Sequence, residues 1–323
     1  MKPIAVAVTL LLLGACGNKD IQRAADVSLP ATDDIFFSVQ PDATGVDIVR
    51  LVDAGLTTKE KGPDAAFFVV IRAGDRHAPE IKDAEFHVVV GAGVRMPKGS
   101  MRIRRKWIAS GMIDGTNEEF QTLGIAIMVE RGATRPFVPE VVSAVTKFCG
   151  ALTARVPIHP DCIVGMGDVP YTNDHPADAD EKELAAAARA RVSVPKADSE
   201  ATIKTKKGPV KVTYETRATS NGRRIGMMMR RRFDGKNRGM LFIYPNPFQR
   251  AFWMRNCFIQ IDVAYILDGK IEQIETMAPA AGFKADDMSR YPSDSYGIKY
   301  CLEMPGGWFG NNGVAVGDEI QLR

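Results

Sequence analysis

Short apolar runs closed by turn-forming residues constrain this chain more than any other feature. Phe67-Phe68-Val69-Val70-Ile71 leads into Ala73-Gly74-Asp75, and His87-Val88-Val89-Val90 into Gly91-Ala92-Gly93. Leu123 to Val129 is a third run, and Cys162-Ile163-Val164-Gly165 a fourth. Each is too short for a buried helix and is bounded by turn residues, so each predicts a buried strand. The segment from Pro139 to Arg155 has a different period. Val141, Val142, Val145, Phe148, Cys149 and Leu152 recur at three and four, which is one face of a helix. Pro136 and Pro139 stand at or before its start, where proline is tolerated. Strands alternating with a long helix predict an α/β domain, a mixed sheet with helices, over residues 33–175.

Composition shifts after residue 175. Residues 176–207 carry an acidic stretch, a run of four alanines between Glu183 and Arg191, and then a polar segment. That predicts a solvent-exposed helix within a flexible linker. From residue 208 to 323, short alternating runs are separated by Gly, Asn, Asp and Pro, and no long amphipathic helix is supported. This half is expected to be mostly β, as a compact barrel or sandwich.

The N-terminus addresses the chain. Lys2 precedes a run of ten residues, Ile4 to Leu13, apolar apart from Thr9, too short to span a bilayer as a mature helix and fitting a secretory h-region. It ends in Leu13-Gly14-Ala15-Cys16, which resembles a bacterial lipobox. The resemblance implies a signal peptide over 1–15, acylation at Cys16 and a tether over 16–32. Several acyl chains give lasting anchorage. Gly17 follows the cysteine rather than Asp, which favours the outer membrane facing the periplasm over retention at the inner one. The net charge of +3 is too small to argue for nucleic acid. The local basic clusters at 102–106 and 223–232 read as solvated faces.

Apart from Cys16 there are four cysteines, Cys149 and Cys162 in the first half, Cys257 and Cys301 in the second. A periplasmic location permits disulfides within each pair, and no Cys-x-x-Cys spacing supports a zinc or redox motif. Strand parity sets a condition on the second pair. If the chain is extended from Cys257 to Val263, a Cys257–Cys301 bridge competes with an Asp262–Glu303 site.

The second half carries Gly226-Met227-Met228-Met229-Arg230, Gly239-Met240-Leu241-Phe242, Phe252-Trp253-Met254-Arg255-Asn256, Ile261-Asp262, Leu302-Glu303 and Gly317-Asp318 in that order. Their order and spacing resemble the domain-of-unknown-function family numbered 192, from about residue 210 to the end. No histidine occurs there, so no Ser-His-Asp set can be built. The candidate binding residues are Arg230, Arg255, Asp262 and Glu303. Asp262 lies inside an apolar run, where an unpaired carboxylate is costly, and Arg230 or Arg255 could pair with it bidentately. Two readings stand: a buried ion pair specifying the fold, or a pocket whose arginines bind an anion, with Glu303 at its rim.

The α/β half has a fainter resemblance. Ala84 to Val90, Lys106-Trp107-Ile108-Ala109-Ser110-Gly111, Gly124-Ile125-Ala126-Ile127 and Ile163 to Val169 are similar, in order and spacing, to segments of the type 2 N-acetylmuramoyl-L-alanine amidases and peptidoglycan-recognition proteins. That family holds zinc with two histidines and a Cys or Asp. The resemblance places its first ligand at His87 and its second at Met166, a thioether that suits zinc poorly. Ala126 stands where the family has a catalytic Glu. Asp174 and His175 are candidates for the third ligand. No catalytic set and no resident cofactor is therefore expected, with zinc through His87 as the alternative. The chain reads as an envelope lipoprotein whose degenerate, amidase-like pseudoenzyme domain binds peptidoglycan or another wall component. The alternatives are a zinc amidase with atypical ligands, and an assembly lipoprotein that binds an envelope protein through its second half.

Overall fold

The short apolar runs become the strands of a mixed sheet. The computed structural model describes residues 36–43, 45–58, 66–74, 86–104, 107, 123–131, 135–170, 178–280 and 290–323. The leader, Cys16, the tether, Ile108 to Gly111, Asp174 and His175 lie outside these described residues. In the first half the order is β1 (Phe36–Val39), α1 (Gly45–Thr58), β2 (Phe68–Gly74), β3 (Val88–Val90), β4 (Met101–Arg104), β5 (Gly124–Glu130), α2 (Pro139–Thr153), β6 (Ile163–Gly165) and α3 (Ala179–Arg189). The sheet runs β1-β4-β3-β5-β2-β6. Its β3–β5, β5–β2 and β2–β6 pairs are parallel, and its β4 pairs antiparallel. The apolar, β-branched residues of β2 and β5 fit strands hydrogen-bonded on both sides within such a sheet.

Helix α2 starts where its prolines allow, with Pro in its first turn, and buries Val141, Val145, Phe148, Cys149 and Leu152. Each fully buried side chain of this size contributes roughly 1.5–3 kcal/mol. Trp107 is fully buried, and its indole fills the space that a side chain at Gly55 of α1 would need, with the indole Cε2 2.0 Å from an added Cβ.

The described part of the expected linker, residues 178–207, is ordered into a docked helix and a strand. Asp178 caps α3 by accepting from the backbone N–H groups of Asp180 and Glu181. Leu184, Ala185 and Ala188 are buried on one face of the helix. Glu181, also buried, accepts from the backbone of Ala73 at 2.7 Å and of Met166 at 3.1 Å. The helix is thus docked on the sheet, with the small side chains of Ala185 and Ala188 on its buried face. The polar segment beyond it is not flexible either, for it contains barrel strand β7 (Ser199–Thr205).

The second half continues with β8 (Gly208–Arg217), α4 (Ser220–Ile225), β9 (Arg238–Phe248), β10 (Ala251–Phe252), β11 (Ile261–Leu267), β12 (Lys270–Met277), β13 (Tyr291–Pro292), β14 (Ile298–Pro305), α5 (Trp308–Asn311) and β15 (Glu319–Leu322). Seven of these strands close a barrel in the order β11-β12-β15-β7-β8-β9-β14. Its pairs are antiparallel except β8–β9, which is parallel. A parallel pair needs a long crossover, and residues 218–237 supply it. Gly239 is required at the start of β9, since a Cβ there would lie 2.4 Å from the Glu303 carbonyl oxygen.

Alternate residues of the barrel wall join two different cores. Ile203, Val212, Leu241, Ala264, Leu302 and Phe309 belong to one apolar cluster. Met240, Phe242, Val263, Tyr265 and Cys301 join a larger one that also contains Phe68, Ile127 and Phe148 of the α/β half. The two halves therefore share a core, and Ile35 to Arg323 is one compact unit. No described helix is long and apolar enough to cross a membrane.

Candidate functional site

His87 precedes β3 and is 1% exposed. Its backbone N–H donates to the Ala126 carbonyl at 3.0 Å, and its ring Nδ1 accepts from the Ala126 N–H, also at 3.0 Å. The ring meets Trp107 edge-on, with centroids 5.7 Å apart. An acceptor Nδ1 leaves the proton of the neutral ring on Nε2. A zinc-bound histidine has the opposite arrangement, with one nitrogen on the metal and the other donating its N–H. Ala126 carries no carboxylate, and its N–H holds the ring in the tautomer opposite to that of a zinc-bound histidine. Met166 is buried at 1% exposure. Among the described residues no group of three His, Cys, Asp or Glu side chains could hold a metal, and the described donors, His87 as its Nε2–H tautomer and the Met166 thioether, do not fit zinc.

The charged centre of the barrel half was not legible beforehand. Glu215 and Arg217 lie two apart on β8 and share a face, opposite Val212 and Tyr214. The crossover closes over them. Arg230 grips the Glu215 carboxylate with two hydrogen bonds of 2.8 and 2.7 Å. Arg217 reaches it at 3.1 Å and Arg238 at 2.9 Å. Glu215 is 3% exposed, Arg230 4% and Arg217 8%. Burial works against ionisation of Glu215, but the Arg230 hydrogen bonds and the three guanidinium charges outweigh it and hold the carboxyl at about 2. Ahead of Arg230, Met229 takes a left-handed backbone (φ 66°), and its N–H donates to the Asn256 carbonyl at 2.8 Å. Non-glycine residues avoid this region, so the crossover is bent where it delivers Arg230.

The crossover is also tied to the α/β half. The His159 Nδ1 accepts from the Asp161 N–H at 3.1 Å, which leaves Nε2 to donate to Asp234 Oδ1 at 3.1 Å. Asp161 accepts from the Arg231 N–H at 2.9 Å. The Cys162 thiol faces the Met228 carbonyl at 3.7 Å.

The predicted quartet Arg230, Arg255, Asp262 and Glu303 is not one site. In the register of β11 and β14, Asp262 lies opposite Met304 and Val263 opposite Glu303, so the two carboxylates point to opposite faces of the wall. Asp262 is satisfied by the Thr276 hydroxyl, which donates at 2.9 Å from the neighbouring strand, and not by an arginine. Arg230 pairs with Glu215. Arg255 stands 5.8 Å from the Trp253 ring, which Arg290 also approaches at 5.0 Å, within reach of a cation–π contact. Glu303 is not at a rim: it is 4% exposed, and its Oε2 has no hydrogen-bond partner among the described residues. Desolvation raises its pKa to about 8, against the lowering pull of Arg217 and Arg230.

The proposed disulfides are absent. Cys149, Cys162, Cys257 and Cys301 are all free and buried. The parity condition fails at its premise, because Cys257 donates to the Met254 carbonyl in a turn and strand β11 begins only at Ile261. The thiols serve as small apolar core groups.

Residues 201–322 match the family numbered 192 among domains of unknown function, described as an uncharacterized ACR. Two solved structures are similar over the same share of the chain. One, a protein of Sinorhizobium meliloti 1021 described as a proposed transcription regulator, is 26% identical, with 38% of this chain and 92% of that one covered and a TM-score of 0.35. The other, a protein of unknown function from Novosphingobium aromaticivorans DSM 12444, is 27% identical, with 38% and 83% covered and a TM-score of 0.33. No curated protein gives a match.

Proposed function

We propose that this protein is a lipid-anchored envelope protein of the periplasm, attached at the outer membrane through Cys16, whose amidase-like α/β half binds peptidoglycan or another wall component without cutting it. The observation that carries this reading is the hydrogen bond from the Ala126 N–H to His87 Nδ1. It occupies the Nδ1 lone pair of His87 from a residue that carries no carboxylate, which supports a reading without metal hydrolysis. Hydrogen bonding and apolar contact with a glycan or stem peptide need neither group. The leader's likeness to a lipobox supports a location beside the wall.

The test uses the whole chain with Cys16→Ser, since the two halves share a core. Sedimentation with insoluble peptidoglycan, and zinc analysis of the same sample, separate the readings. Co-sedimentation without stoichiometric zinc, and without release of stem peptides, is expected. No co-sedimentation would sink the binding reading, and stoichiometric zinc lost in His87→Ala would restore the hydrolase.

An assembly role has one specific observation in its favour. Phe248 and Tyr296 are 60% and 67% exposed and pack edge to face with centroids 6.1 Å apart, an aromatic surface of the kind enriched at protein interfaces. Retention of an envelope protein by the chain, lost in Phe248→Ser, would favour it.

A further inference from the structure

The geometry points to a separate binding site at one end of the barrel, built for a small saccharide that carries a carboxylate. A cavity of about 610 Å³ opens there between the 232–237 stretch of the crossover, residues 259–260, and the 305–312 segment. Small-molecule sites typically measure roughly 300–1,000 Å³. The site lies on the barrel, so it does not depend on the wall-binding reading of the α/β half.

Three features fix the chemistry. The first is charge. Arg232 and Lys236 line the cavity, and no acidic side chain does. Both are exposed, and neither has an ion-pair partner among the described residues. Two uncompensated cations at the rim of a concave site favour an anion, and a guanidinium matches a carboxylate geometrically. The second is the amide lining. The Asn237 Oδ1 accepts from the Trp308 indole N–H at 3.2 Å, which leaves its NH₂ group for a ligand. Gln260 and Asn311 also line the cavity. Each amide both donates and accepts, as ring hydroxyls and acetamido groups require. The third is an apolar wall that includes Phe233 and Ile259, suited to the C–H face of a sugar ring. A bare inorganic anion would have no use for that wall, and a neutral sugar none for the cations.

The lining is held in place before any ligand arrives. The crossover is fixed beside the cavity by the Arg231–Asp161 and Asp234–His159 hydrogen bonds and by the Thr213 N–H donating to the Asn237 carbonyl at 2.9 Å. Gly306 keeps space clear, since a Cβ there would lie 2.6 Å from the Gln260 side chain. A site set in this way loses little entropy on binding.

The test is calorimetric titration of the full chain, with Cys16→Ser, against three probes: N-acetylmuramic acid, N-acetylglucosamine and inorganic phosphate. Saturable binding of the acidic sugar is expected, with the neutral sugar and phosphate each weaker by at least about tenfold. Arg232→Ala combined with Lys236→Ala removes two exposed side chains, so the melting temperature should hold while affinity for the acidic sugar falls at least about tenfold. Absence of saturation at roughly 10 mM acidic sugar, equal binding of all three probes, or an affinity unchanged in the double variant would overturn the site. The insoluble wall is not used here. A chain that fails to sediment with peptidoglycan yet binds the acidic sugar loses only the α/β reading.

Discussion

Glu215→Gln is the substitution that probes the buried charge cluster most directly. The amide keeps the carboxylate's shape and removes its charge, leaving Arg217, Arg230 and Arg238 grouped around a neutral side chain. Two routes give the magnitude. A carboxyl held at about 2 against an ordinary 4.5 is stabilised by about 3 kcal/mol at neutral pH, at about 1.4 kcal/mol for each tenfold step in acidity. Removing one partner of a buried pair costs about 3–5 kcal/mol by comparison with other proteins, because the remaining charge stays buried. The two agree near 3 kcal/mol, a large share of a typical stability of roughly 5–15 kcal/mol. With a urea dependence of roughly 2–3 kcal/mol per molar, the unfolding midpoint at pH 7 should fall by roughly 1–1.5 M. The pH dependence follows from the depressed value. The stabilisation is full above the ordinary carboxyl range and fades as pH falls from about 4.5 toward 2. Wild type should lose this part of its stability on acidification, and the variant should have none to lose. A loss below about 1 kcal/mol, the size of an exposed ion pair, would refute the claim that the cluster is buried and holds the crossover to the barrel.

Glu303 should give the opposite pH signature. Its carboxyl is raised to about 8 by desolvation, so the native state holds a proton that the unfolded chain releases above about 4.5. Stability therefore falls as pH rises between these values, and Glu303→Gln should flatten that part of the urea-unfolding profile; an unchanged slope would show that another group titrates there. The thiols make a second prediction. Burial pushes Cys149 and Cys162 to about 12 and raises Cys257 and Cys301 as well, so the native Cys16→Ser chain should resist alkylation at pH 8. Four thiols should react once it is denatured without reductant, and a count of two or none would establish disulfides instead.

What could be read beforehand divides along a physical line. The runs at 67–71, 87–90, 123–129 and 162–165, and the helix at 139–155, came through as β2, β3, β5, β6 and α2 to within a few residues, because periodicity and turn residues are local signals. The β character of the second half came through for the same reason. The residues misread are those whose burial is decided by distant chain. Alanine and charge between 179 and 191 look like a solvated helix until β2 and β6 supply its buried face. Glu215 and Arg217 were not singled out at all, since they continue the outward face of Lys211 and Thr213, which is exposed. Only the crossover, folding back over the last turns of β8, covers them. Asp262 was expected to pair with an arginine, yet its partner is a threonine one strand away, and sequence contains no register. The same limit applies to His87. Its residue type suits metal and core equally, and the tautomer that separates them is set by one backbone N–H on β5. The residue type alone leaves both roles open, while the hydrogen bond from the Ala126 N–H to Nδ1 fixes which ring nitrogen carries the proton.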